Sequence, residues 1–115
     1  MIIDRAENVA STDVKEEDIE GVNMKVLIGT ESGASNFVMR VFRIDPGGHT
    51  AYHTHPWEHE VYVLEGAGII KQGDKRHKIT EDSFAFIPAG EEHQFLNDGH
   101  STLRFICVVP ATRQA

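Results

Sequence analysis

After residue 20 this chain never sustains a dozen residues of apolar 3.6-residue period free of Gly and Pro, so no helix of any size is expected there. Short β-rich runs follow one another instead: Met24 to Ile28, Phe37 to Ile44, Val61 to Leu64, Ile69 to Gln72, His77 to Ile79, Phe84 to Ile87 and Leu103 to Val109. Turn-forming residues separate them, at Gly29, Ser32-Gly33, Pro46-Gly47-Gly48, Gly66, Gly73-Asp74, Pro88-Ala89-Gly90 and Asn97-Asp98-Gly99. Seven short strands at this spacing predict an all-β sandwich or barrel. Residues 1–20 read as a solvated arm, polar from Glu7 to Glu20 apart from single residues such as Val14 and Ile19; Ile2-Ile3 offers a short strand to a neighbouring sheet or a frayed end. At 115 residues, 21–115 make one domain, with a core small enough to gain from a partner subunit, a metal or barrel closure.

Charge and apolar patterning exclude whole classes of function. Eighteen acidic against eleven basic residues give a net charge of -7, the wrong sign for gripping phosphate backbones, so no nucleic-acid partner is expected. The longest apolar stretches, such as Phe105 to Pro110, fall far short of a membrane helix, and the N-terminus lacks a basic segment followed by an apolar run. No membrane partner is expected. The single Cys107 forms no internal disulfide, which fits a cytoplasmic location.

The chemistry concentrates in the seven histidines. His49, His53, His55 and His59 lie within eleven residues, and His93 stands apart. On a strand, positions i and i+2 share a face, so His53-Thr54-His55 would present two imidazoles to one side as a chelating pair. Pro56 and Trp57 allow the chain to bend and bring His59 to the same point. Imidazole ligands suit Zn, Cu, Fe and Ni, and occur on Mn. Read alone, one His-x-His is as well explained by chance clustering on a solvated loop.

Two spacings change that balance. Gly47, five residues, His53-Thr54-His55, three residues, His59, six residues and Gly66 is the spacing of the first cupin motif, in which position 59 is normally Glu. Pro88-Ala89-Gly90, two residues, His93, three residues and Asn97 is nearly the second cupin motif. The chain therefore resembles the cupin superfamily over residues 40–110, which implies a jelly-roll (double-stranded β-helix) barrel. Asp82 stands where the second motif usually begins with Gly, a turn substitution Asp tolerates. Counting back from Gly66 selects His59 rather than Glu60 for the glutamate slot, and adjacent strand residues point to opposite faces, so only one of the two lines the barrel.

With His53, His55, His59 and His93 the sequence resembles the small single-domain cupins with a four-histidine metal site. That resemblance implies a homodimer binding a divalent metal, Mn first, Fe next, then Zn, Ni or Cu. Four neutral imidazoles leave a bound dication uncompensated and, at six-coordination, two positions open to anions, dioxygen, peroxide or a bidentate substrate.

The expected pocket for a small-molecule substrate or ligand is walled by Arg40, Phe95, Phe105, Cys107 and Val109. Arg104 faces solvent on the last strand and so assigns Phe105, Cys107 and Val109 to the inner face. Phe95 shares the face of His93. Cys107 is either a small buried hydrophobe or an oxidisable thiol beside the metal. Arg40 alternates with Val38 and Phe42 and either holds an anionic group inside or forms an edge salt bridge. His49, His77 and His100 read as surface residues, Trp57 as a packing anchor or dimer contact, and Glu58 and Glu60 as lying outside the barrel. The leading expectation is a Mn- or Fe-dependent oxygenase using dioxygen or peroxide. A non-catalytic binding module and a metal-assisted isomerase or lyase use the same residues.

Overall fold

A computed structural model describes residues 1–112. The expected all-β architecture forms, with nine strands where seven were read. Among the described residues the helical elements are two three-residue 3-10 turns, Ala6–Asn8 and Thr30–Ser32, and no helix is long and apolar enough to cross a membrane.

The strands are β1 (Thr12–Asp13), β2 (Glu20–Ile28), β3 (Phe37–His49), β4 (His59–Glu65), β5 (Ala67–Gln72), β6 (Lys75–Thr80), β7 (Phe84–Ile87), β8 (Gln94–Leu96) and β9 (Leu103–Pro110). They join in the order β6-β5-β8-β3-β9-β4-β7, with β2 also on β3 and β1 on β2. Because β3 pairs β9 through residues 37–44 and β8 at His49, one long strand is shared by both halves of the wall. The sheet thereby curls into a nearly closed barrel.

Alternation decides what goes inside. Along β9 every second residue, Leu103, Phe105, Cys107 and Val109, is buried, with Arg104, Ile106 and Val108 between them on the other face. Residues Phe105, Leu103 and Ile44 are at most 1% exposed, and each contributes roughly 1.5–3 kcal/mol by leaving water. Phe105 stacks on Phe95 at 4.5 Å and on Phe42 at 5.5 Å between ring centroids.

Several expectations are corrected. The arm is not wholly free: β1 within it pairs with β2 of the same chain, while Ile2 and Ile3 stay exposed. Strand β8 is three residues wedged between two turns, too short to show alternation. Pro46-Gly47-Gly48 does not end β3 but lies within it, where the β2–β3 register jumps from Val22↔Ile44 to Glu20↔His49. Gly66, with φ +85°, has no room for a Cβ, which would lie 2.2 Å from the Thr102 carbonyl oxygen. Asp82 takes the left-handed conformation, φ 69°, that its place in the motif requires.

Candidate metal centre

His53 and His55 do not sit on a regular strand. Residues 50–58 run as a loop crossing the barrel end, and His53 makes an isolated antiparallel bridge with His93, with N···O distances of 3.1 and 3.0 Å. That bridge, rather than strand alternation, aims the two motifs at each other. The His53 and His55 Nε2 atoms are 3.0 Å apart, and the candidate ligand atoms of His53, His55 and His93 all lie within 4.8 Å of one another.

His59 opens β4 and lies beside this trio, its ring 5.1 Å from both His55 and His93. Along β4 His59 is buried and Glu60 exposed, so the imidazole is on the inner face and the carboxylate on the outer. The His59 Nε2 is buried without a hydrogen-bond partner, and its Nδ1 is 3.2 Å from the Cys107 sulfur. An orphaned buried ring nitrogen costs about 1–3 kcal/mol unless something accepts its lone pair. His93 is held similarly: its Nδ1 donates to the Glu91 carbonyl at 2.9 Å, leaving Nε2 for a ligand. Two ring nitrogens 3.0 Å apart also match adjacent ligands at right angles on an ion with metal–nitrogen bonds of about 2.1 Å. The donor set fits a divalent metal.

Burial disfavours the protonated form of two of these rings, His59 and His53, and so leaves their nitrogens available to a metal. Burial, reinforced by His93, His55, Arg40 and His53, holds the His59 pKa down at about 3. His53 is lowered too, by burial first and His93 second, with Glu16 opposing.

Of the other expected site residues, Arg40, Phe95, Phe105, Cys107 and Val109 are all buried. Arg40 points inward, its Nη2 donating to the Cys107 sulfur at 3.1 Å and its guanidinium 4.9 Å from the Phe42 ring centroid, while Nε has no partner. Phe95, Phe105, Cys107 and Val109 pack in the core cluster, and a 430 Å³ cavity bordered by His93 lies to another side. His77 and His100 are exposed; His49 is half-buried, its Nδ1 3.1 Å from the Thr50 carbonyl oxygen.

Three contacts add detail that the sequence reading did not assign. Trp57 stacks on His55, ring centroids 4.6 Å apart and planes within 6°, which restricts the orientation of this candidate ligand ring. Asn97, 2% exposed, donates to the Ile44 and Ser101 carbonyls and accepts from Gly99 N–H, pinning the turn after β8. Glu91 orients His93 through its backbone, which no side-chain pattern encodes.

Residues 40–109 match the family model described as a cupin domain. Over 75 residues the chain is 32% identical to 1-methylthio-D-xylulose 5-phosphate methylsulfurylase of Rhodospirillum rubrum, covering 65% of this chain and 48% of that protein. Over 68 residues it is 31% identical to an oxalate-binding protein of Thermotoga maritima, covering 58% and 56%. The chain thus spans about half the length of the curated relatives it matches. Among solved structures, the polyketide cyclase RemF from Streptomyces resistomycificus superposes with a TM-score of 0.94 at 34% identity, over 100% of this chain and 82% of that one.

Proposed function

The chain belongs to the cupin family, and from that premise we propose that it is a metal-dependent enzyme closing a small polycarbonyl substrate into a ring by aldol chemistry. The observation carrying this reading is the convergence of His53, His55 and His93, with His59 beside them and its Nε2 buried and unpartnered. A divalent ion held there supplies Lewis acidity toward a carbonyl oxygen. The reaction class draws support from the likeness to a polyketide cyclase along the whole chain.

The residues have separable tasks. His93 is oriented by the Glu91 carbonyl, and His59 by the Cys107 sulfur, which itself accepts from Arg40. Trp57 covers one face of His55 and shields it from water. No Asp or Glu among the described residues is buried, and the half-buried Glu91 carboxylate accepts from the Gln72 amide, so no carboxylate is held in the interior as a strong base. A methylene flanked by two carbonyls is acidic enough not to need one. The Cys107 sulfur lies 3.2 Å from the His59 ring, within reach of any oxidant formed at the site, so its oxidation state after turnover separates non-redox chemistry from the oxygenase reading. Oxygenase chemistry remains the second reading, favoured by an all-imidazole donor set that gives an added anion or peroxide the only negative charge at the metal.

Incubating metal-loaded and chelated protein with a linear triketone separates the readings. Ring closure joins a terminal methyl carbon to the far carbonyl carbon, releases that oxygen as water and leaves a resorcinol, with no net oxidation. The expected result is a metal-dependent product one water lighter, no dioxygen uptake and Cys107 unmodified. Oxygen-enriched product with metal-dependent oxidation of Cys107 would establish the oxygenase; no product with either metal or dioxygen would leave a binding module.

We also propose a homodimer. The outer face carries Phe37 at 70% and Phe84 at 82% exposure, with Tyr62 opposite Phe84 on the neighbouring strand and Phe86 exposed two residues on. Monomeric proteins rarely leave so much aromatic surface uncovered. Light scattering at micromolar concentration should report twice the 12.8 kDa chain mass; the single-chain mass would rule the pairing out.

A further inference from the structure

The sheet ends at β6 on one side and β7 on the other, and neither strand has a second ladder partner. The barrel is therefore unzipped along this seam, and the 430 Å³ cavity occupies it, lined by residues of both free edges. Its apolar wall is formed by Ile70, Ile79, Ala85 and Ile87, the exposed Phe84 and Phe86 of the face proposed for dimerisation also line it, and it extends to His93. Such a volume lies within the range of about 300–1,000 Å³ of small-molecule sites. At its border the Gln72 amide donates to the Glu91 carboxylate and accepts from His77 Nε2 at 2.9 Å, while the Glu91 carbonyl holds His93. One residue thus belongs both to the border of the seam and to the orientation of a ligand ring.

We propose that the β6–β7 seam is a subsite for a linear, apolar segment of the substrate, lying between the two strand edges while the dicarbonyl end faces His93. A slot between strand edges selects against branched or globular groups, and its apolar lining suits an unbranched alkyl chain. The substrate class is then a polycarbonyl compound bearing an unbranched alkyl tail. This inference rests on the metal-centre reading of the previous subsection and adds to it the path and shape of the ligand.

The test uses metal-loaded protein, calorimetry, and two probes: acetylacetone and its homologue with one methyl lengthened to pentyl. Each fully buried methylene is worth about fourfold in affinity, so the homologue should bind at least about tenfold more tightly even with part of the tail exposed. Ala85→Phe fills the seam from the inner face, and Lys78→Trp narrows it from an exposed position of β6 where a bulky aromatic suits the strand. Both should cut the homologue's advantage to about twofold or less, and should Ala85→Phe not fold, Lys78→Trp carries the test alone. An advantage that is missing in the parent, or that survives in the folded variants, would overturn the seam while leaving the metal centre standing. If acetylacetone itself fails to bind, the metal-centre reading falls and the seam with it.

Discussion

Metal-stripped protein is expected to lose about 2 kcal/mol of stability between about pH 7 and pH 5 through His59 alone. Unfolded, this imidazole takes up a proton near its ordinary pKa of about 6.5. Folded, burial and the neighbouring cationic and imidazole groups hold it unprotonated down to about pH 3. Since its folded pKa is depressed, the unfolded chain binds the extra proton through that interval. Stability is therefore complete above the unfolded value and falls steadily as pH drops toward the folded one. His53 is shifted in the same direction and adds to the slope. Thermal melts of chelated protein at the two pH values measure it. A His59→Gln protein, which keeps polarity but has no titrating ring, should show most of this slope removed. A parent flat across the interval, or a variant as steep as the parent, would contradict the burial assigned to His59.

The strand inventory and the metal site were legible in the sequence to different depths, for different physical reasons. The assignment of Phe105, Cys107 and Val109 to one face followed from Arg104, because a strand has period two and the alternation Leu103 to Val109 is unbroken. The choice between His59 and Glu60 as the inward residue followed from the same rule, and β4 places His59 inside. His53 and His55 do turn their rings to one side, but from a loop rather than a regular strand. What carries them to His93 is a long-range bridge between residues forty apart in sequence, which no local periodicity encodes. Strands β1 and β8 were missed because two or three residues cannot display a period. The bulge at residues 45–48 was read as a turn because glycine and proline signal a departure from regular backbone without saying whether the strand resumes. Contacts such as Trp57 on His55, or Arg40 with Cys107, depend on which strands become neighbours. In the second case the β3–β9 register, Arg40↔Cys107, decides it.

The largest expected effect is on metal retention, and it follows from the asymmetry of β4. His59 carries a buried, unpartnered ring nitrogen, and its ring lies 5.1 Å from those of His55 and His93, whereas Glu60 is exposed on the outer face. Loss of a group that merely orients a ligand typically costs about 10- to 100-fold in metal affinity, and loss of a ligand itself costs at least as much. Removing the Glu60 side chain disturbs neither the rings nor their supports at Cys107 and Glu91. The deciding measurement is elemental analysis of the parent, His59→Ala and Glu60→Ala proteins, each purified without added metal and dialysed against the same chelator series. The account predicts comparable metal in parent and Glu60→Ala, and release from His59→Ala at least about tenfold more easily. Metal kept by His59→Ala and lost by Glu60→Ala would contradict it.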